Sequence, residues 1–157
     1  MMKYFTLDRW IADQDLDADS SENLRAYEDY EKYLSGIQAR LPNGLQWLLS
    51  EFCLVDASLR EVSIDIPSSK ASLRFDAGDV TMQGGRDITL HYRGVVAVRS
   101  TGDPEKGLPG PCGFGDLGND ELELLNDGLI EHRFIFSSGI QLMLRFDTAE
   151  LEENQER

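Results

Sequence analysis

The chain has 157 residues, of which 41% are hydrophobic and 28% charged, an ordinary composition for a single globular domain. The charge is one-sided, because 29 acidic residues against 15 basic ones leave a formal net charge of −14. This sign argues against nucleic acid or an anionic membrane as a partner held by general electrostatic attraction, and it is compatible with a basic protein.

The cysteine content and the amino terminus predict a cytoplasmic protein. Cys53 and Cys112 are too few for a disulfide framework, and Cys53 lies in an apolar run where a small buried residue fits. The start, MMKYFTLDRW, has no apolar signal core, and no segment approaches the ~18 apolar residues of a membrane span. We expect one domain over 1–157.

The region from about residue 6 to 52 predicts two or three helices. Thr6 is suited to cap a short first helix. The next helix has a stripe of large side chains at steps of three and four: Tyr27, Tyr30, Leu34, Ile37 and Leu41. Pro42 ends this helix and can begin another, whose apolar residues are Leu45, Leu48, Leu49 and Phe52.

From about residue 54 to 151 the pattern changes to period two, which is typical of strands with one buried and one wetted face. Clusters of turn-forming residues separate the runs. Across the first turn we expect Ile66 opposite Ala71 and Ile64 opposite Leu73. Gly94 interrupts a later run and predicts a bulge.

The most regular runs flank Ser137-Ser138-Gly139, a loop that fits a common hairpin connection. The predicted pairs are Phe136 with Ile140, Phe134 with Leu142, His132 with Leu144, and Ile130 with Phe146. Residues of the opposite parity, which include Glu131, Arg133 and Arg145, are expected to face water. His132 is the one polar side chain of the inward set, so we expect it to form a buried hydrogen bond or the edge of a pocket.

Helices followed by short strands predict an α+β domain. The expected architecture is two or three amino-terminal helices packed on an antiparallel meander sheet of about seven strands, curled toward a half-barrel or split into two layers. The acidic segment 152–157 is expected to be a frayed tail.

The residues that can carry chemistry are not arranged in a recognisable motif. Cys53, His91, Cys112 and His132 form no short-spaced ligand pair, and we predict no cofactor or metal. The Gly/Pro-rich segment 100–119 lacks the following helix and the Lys-Ser/Thr of a phosphate-binding loop. Since a cysteine nucleophile and a histidine base can meet in space from distant positions, enzymatic activity stays open, although the sequence does not favour it.

Two clusters of acidic residues are the remaining signal. One covers residues 13–31, and the second, without a basic residue, covers 116–131. Clustered acids can steer a basic partner, and solvated helix faces and turns give the same pattern. We take as a candidate partner-binding surface Asp116, Asp120, Glu121 and Glu123 with Cys112 and Phe114. The candidate pocket residues are His132 and Tyr92.

Two short motifs carry a resemblance to known proteins. The start MKYFT at residues 2–6, followed by Trp10, resembles that of uncharacterised bacterial domain families. The segment FCLVDA at 52–57 is similar to an L-H-D-A turn that those families place before the first sheet strand. Val55 stands where that pattern often has histidine, so the resemblance transfers no site residue.

Some small proteins of this layout also resemble immunity proteins of polymorphic toxin systems, which bind and block a secreted toxin. This resemblance implies a non-enzymatic protein-binding domain that neutralises a basic partner. The alternative is a small-molecule-binding protein or enzyme that uses the concave face of the sheet. The chain is expected to be a monomer, or a homodimer through an exposed sheet edge.

Overall fold

The protein is described by a computed structural model that covers residues 1–15, 17, 20–83, 85–101 and 114–155. In these residues the chain forms three α-helices, α1 (Leu7–Asp13), α2 (Ser21–Ile37) and α3 (Asn43–Glu51), with a 3₁₀ turn at Gln38–Arg40. Eight strands follow: β1 (Phe52–Asp65), β2 (Lys70–Asp79), β3 (Arg86–Arg93), β4 (Ala97–Thr101), β5 (Leu117–Leu124), β6 (Ile130–Phe136), β7 (Gln141–Phe146) and β8 (Thr148–Glu153). The predicted α+β class, with helices before strands, is confirmed.

The described strands form two four-stranded antiparallel sheets. The first sheet has the order β1-β2-β3-β8 and the second has β4-β7-β6-β5, so the two-layer alternative is the one observed. The chain crosses between the sheets next to Gly94 and again next to Asp147, whose N–H donates to the carbonyl of Arg93 at 3.1 Å. Gly94 has φ +63, and a Cβ there would lie 2.7 Å from the Cβ of Asp147. The irregularity expected at Gly94 is therefore a corner between sheets.

The main core lies between the two sheets. The rings of Phe75 in β2 and Phe134 in β6 have centroids 5.8 Å apart, and those of Tyr92 in β3 and Phe146 in β7 are 4.7 Å apart. Each such side chain is removed from water, which stabilises the fold by roughly 2–3 kcal/mol per large apolar group before chain entropy is counted.

The predicted β6–β7 hairpin is confirmed residue by residue. Ile130 lies opposite Phe146, His132 opposite Leu144 and Phe134 opposite Leu142. The N–H of Phe136 donates to the carbonyl of Ile140 at 2.9 Å, and Gly139 has φ +83, the left-handed conformation that ends this loop.

The expected register of the first hairpin is wrong. Ile64 lies opposite Ala71 and Val62 opposite Leu73, so the partner of each β1 residue is displaced by two residues from the prediction. The reason is that Ile66 belongs to the turn, where its carbonyl accepts a hydrogen bond from the N–H of Ser69 at 3.1 Å. An apolar residue in a turn breaks the rule that turns are polar.

The expectation that one face of β6 is wetted is also wrong. All seven of its residues are buried, including Glu131 and Arg133. The outer face of the second sheet is covered by the amino-terminal segment and α2, because Met2, Phe5 and Tyr30 form a second apolar cluster with Ile135.

Helix α2 is fixed to β5 by Tyr30 of its stripe and by Tyr33, which lies outside the stripe. The hydroxyl of Tyr30 accepts the N–H of Leu122 at 2.8 Å, and that of Tyr33 accepts the N–H of Leu124 at 2.9 Å. Burial raises the pKa of Tyr30 far above its ordinary value. These hydroxyls satisfy backbone donors that an edge strand would otherwise leave exposed.

Residues 152–154 of the expected frayed tail belong to the fold, and residues 156–157 lie outside the described residues. Strand β8 reaches Glu153 and pairs with β3, and the side chain of Asn154 donates to Asp87 and Thr89, at 2.9 Å in each case. Along the part of the chain that the structure describes, no helix is long and apolar enough to cross a membrane.

Two glycines give a matched test of how α3 packs on β8. A Cβ on Gly44 would lie 2.7 Å from the Cα of Glu150 and 2.8 Å from the carbonyl oxygen of Ala149, whereas one on Gly36 in α2 would meet nothing within 4 Å. We expect Gly44→Ala to lower the free energy of unfolding by about 2 kcal/mol or more, because backbone must move. Gly36→Ala should raise it by about 0.5–1 kcal/mol. Urea denaturation measures both, and equal effects would contradict the packing.

Candidate functional site

Glu121, one of the predicted partner-binding acids, is an internal residue. It lies on β5 and is 1% exposed. Its carboxylate accepts the backbone N–H groups of Lys3 at 2.8 Å and of Tyr4 and Phe5 at 2.6 Å each. Three consecutive amides around one carboxylate form a small anion-binding nest, so the acid is satisfied by the amino-terminal segment.

Glu123 belongs to the same internal network, together with Glu131, Arg133 and Arg145. Arg133 donates to Glu123, and its Nε donates to Glu131 at 2.9 Å. Arg145 Nε donates to the other oxygen of Glu131 at 2.8 Å. Lys3 Nζ reaches Glu123 at 3.2 Å. Three bases therefore balance the three glutamates of this network.

The network shifts the titration of its acids. Burial alone would raise the pKa of Glu131, but hydrogen bonds from Arg145 and Arg133 outweigh it, and that pKa lies below its ordinary value. Burial alone would also raise the pKa of Glu123, but hydrogen bonds from Arg133 and Lys3 outweigh it, and that pKa is lowered too. Both carboxylates stay ionised and engaged within the fold at neutral pH.

Asp120 joins the two predicted pocket residues in one hydrogen-bonded chain. Its Oδ2 lies 2.8 Å from His132 Nε2, and His132 Nδ1 lies 2.9 Å from the hydroxyl of Tyr92. Burial raises the pKa of Tyr92 well above its ordinary value, so the phenol stays protonated and can donate to Nδ1. When Nδ1 accepts this bond, Nε2 carries a hydrogen and donates it to Asp120. His132 and Tyr92 are both fully buried, and the structure shows the hydrogen bond expected for this histidine.

The remaining predicted residues do not complete a common surface. Asp116 is exposed and forms an isolated bridge with Ser58 on β1. The half-buried Phe114 packs its ring 5.2 Å from that of Phe136. Cys112 lies outside the described residues. Among the described members of the set, Asp116 alone is exposed, and contact with a partner stays a prediction.

The open face of the first sheet was not predicted as a site, although Tyr92 of the predicted pocket is among the residues that line it. It has a depression of about 530 Å³ whose lining includes Ser63, Lys70, Ser72, His91 and Glu150. The sequence contains a signal for this face, because nearly every second residue of β2 and β3 is polar. Several of its polar side chains are paired across strands: His91 Nε2 lies 2.8 Å from Glu152 Oε2, and Arg93 forms an ion pair with Glu150 at 3.3 Å.

Several acids of α1, α2 and the segment between them are different, because they are exposed and form no ion pair with a residue that the structure describes. In the described part of the chain, no ion pair is formed by these exposed residues: Asp13, Asp15, Asp17, Glu22, Glu28, Asp29 and Glu31. We call this set the helical acid surface. Residues 8–32 hold nine acids against three bases, a net −6 of the chain's −14.

Neither a metal-binding arrangement among the described residues nor similarity to known proteins identifies a further site. Within the described ranges, no group of three histidine, cysteine or acidic side chains is placed to hold a metal ion. Comparison with known proteins finds no family model that matches the chain and no curated protein of significant sequence similarity.

The lowered pKa of Glu131 predicts how stability depends on pH. A carboxyl whose pKa is depressed by folding contributes stability above its ordinary value of 4.5, and that contribution is lost as pH falls through the folded value. We expect Arg145→Gln to lower the free energy of unfolding by about 1 kcal/mol at pH 7 and by less near pH ~2.5, because the ionic contribution is lost as pH falls toward and through the folded pKa of Glu131.

The matched control for this experiment is Arg99→Gln. Arg99 lies on β4, directly beside β7, is exposed, and forms no ion pair with any residue that the structure describes. It should show little change at either pH. Denaturant unfolding at both pH values gives the comparison, and a pH-independent loss for Arg145→Gln would contradict the ionic role of this side chain.

Proposed function

We propose that the chain is a non-enzymatic, immunity-like protein-binding domain that recognises a basic partner through the helical acid surface. The observation that carries the proposal is the distribution of charge. Acids of the second sheet are balanced by Arg133, Arg145 and Lys3, and several acids of the first sheet pair with bases across strands. Seven exposed acids that form no ion pair with a described residue therefore lie on the helical acid surface, whereas others, such as Glu51, Glu61 and Asp147, are isolated along the chain.

Apolar side chains on the same helices supply what an interface needs besides charge. Ile11, Leu24 and Tyr27 are 42%, 60% and 41% exposed. Tyr27 is held in place, because its hydroxyl donates to Asn119 Oδ1 at 3.1 Å and its ring lies 4.7 Å from that of Phe5. Exposed aromatic and aliphatic anchors surrounded by charge are typical of binding hot spots.

The alternative function, small-molecule binding, has less support. Tyr92 and His132 are buried in the core, so the small-molecule site would use the depression on the open face of the first sheet. We favour the protein-binding function because the helical acid surface combines an unbalanced field with apolar anchors. We take the compartment to be the cytoplasm, consistent with Cys53 as a free thiol.

Removing charge from α2 should slow association with the partner. The test variant is Glu28→Gln/Asp29→Asn/Glu31→Gln, and the control is Glu51→Gln/Glu61→Gln/Asp147→Asn, which removes three exposed charges elsewhere. We expect the association rate to fall about tenfold for the helix variant and less than about twofold for the control, because steering depends on where the charge lies.

The partner for this measurement is obtained by capture from the native lysate at low salt on the wild-type protein, and rates are then measured with the identified protein. The proposal predicts a basic protein whose binding weakens with salt. Retention of no basic protein, or equal association rates for the two variants, would contradict it.

A further inference from the structure

Among the residues that the structure describes, no strand covers the apolar edge of β1. Within the described part of the chain, its second half pairs with β2 alone, and its bridge to the segment before β5 lies at Ser58. Val62 and Ile64 are 42% and 49% exposed, and Ile66 in the following turn is 82% exposed. Because Ile64 lies opposite Ala71, these side chains project from the face of the sheet that elsewhere forms the core.

A depression of about 370 Å³ adjoins this edge. Its lining includes Ile64 and Ile66 from one sheet and Val95, Val96 and Val98 from the start of the other. An edge strand offers unpaired N–H and C=O groups, and proteins ordinarily protect such an edge with charge, proline or a covering element. The apolar run at 62, 64 and 66 does the opposite, so the occupant that fits is another β-strand.

The edge is complementary to itself in one register. When two copies pair antiparallel about a two-fold axis, each residue lies opposite the residue of the second copy that is equally far beyond the axis. The apolar side chains of both copies stay on one face only if the axis passes through a residue, between its two copies. An axis through Ser63 places Glu61 opposite Asp65 of the second copy, and an axis through Asp65 places two aspartates opposite each other. Like charges directly opposite are destabilising.

The remaining registers differ in their apolar pairs. An axis through Val62 places Ile64 opposite Arg60 of the second copy. An axis through Ile64 places the two Ile64 side chains together and Ser63 opposite Asp65, and it brings Val62 next to Ile66 at the start of the turn. We propose that the β1 edge binds a second copy of this chain, antiparallel about a two-fold axis through Ile64.

Local charge permits this contact despite the net charge of the chain. The edge carries Arg60 and Lys70 beside Glu61 and Asp65, two bases with two acids. The helical acid surface belongs to the layer that covers the outer face of the second sheet, whereas β1 is in the first sheet. At physiological salt, charges more than about 8 Å apart are largely screened. The dimer therefore goes beyond the proposed function and leaves both helical acid surfaces free.

Sedimentation velocity of the full chain tests the dimer. We expect a concentration-dependent dimer at loadings up to about 500 μM, since small edge contacts form weak complexes. Ile64→Lys should raise the dissociation constant at least about tenfold, because two lysines would face each other on the axis. Val80→Lys, at an equally exposed apolar residue in the β2–β3 turn, should leave it unchanged. A wild-type monomer throughout, or a dimer that Ile64→Lys does not weaken, overturns the proposal.

Disulfide trapping tests the register. In a Cys53→Ser/Cys112→Ser background, Ile64→Cys should form a covalent dimer under mild oxidation, because facing Cα atoms in an antiparallel pair lie about 4.5–5.5 Å apart. Ser63→Cys, which is not on the axis, should not. Cross-linking through Ser63→Cys alone would show an axis through that residue and would overturn the assigned register.

Discussion

The carboxylate of Glu121 is the constraint on which the amino-terminal half of the structure depends. A buried carboxylate needs several donors, and here three come from consecutive backbone amides of the amino-terminal segment, from Lys3 to Phe5. Those bonds hold Phe5 over the outer face of the second sheet, where it packs with Tyr30 and Ile135. The segment, α2 and the second sheet thus form one unit, and β6 is buried on both faces as a result.

This arrangement shows that part of the chain's acidic charge is paired within the fold. A net charge of −14 suggests acids spread over the surface, but the glutamates of β5 and β6 lie inside and are compensated by Arg133, Arg145 and Lys3. Removing one member of such a buried group would leave its partners unpaired and costs more than the pair contributes. The proposed partner surface is therefore the helical acid surface, whose acids form no ion pair with a described residue.

Local pattern was sufficient for part of the fold. The alternation around Gly139 predicted the β6–β7 hairpin in its correct register, because this period is set by backbone geometry. Steps of three and four predicted α2 and the burial of Tyr30 and Ile37, although Tyr27 is exposed and Leu41 lies beyond the end of the helix. The double burial of β6, the corner at Gly94 and the pairing of β8 could not be predicted in this way. Each depends on which distant element covers a face, and that information is not local.

The internal acid network was partly predictable. The correct hairpin register already places Glu131 opposite Arg145, so an opposite-charge pair on the second face of β6 could have been inferred. The contact of Glu121 with residues 3–5 could not, because 118 residues separate it from Lys3 and the donors are backbone amides that any sequence provides. The same applies to the hydrogen bond between His132 and Tyr92, where the sequence indicated a partner but not its identity.

The most direct test of the central claim is hydrogen exchange at the amides of Lys3, Tyr4 and Phe5 in Glu121→Gln, compared with wild type and with the surface control Glu28→Gln. Glutamine keeps the size of the side chain but replaces one acceptor oxygen with a donor, so at least one of the three amides loses its partner. The account predicts that exchange of these amides accelerates by about 30-fold or more in Glu121→Gln, equivalent to about 2 kcal/mol, while amides in the middle of β2 and β3 keep their protection. Unchanged protection of residues 3–5 would contradict it.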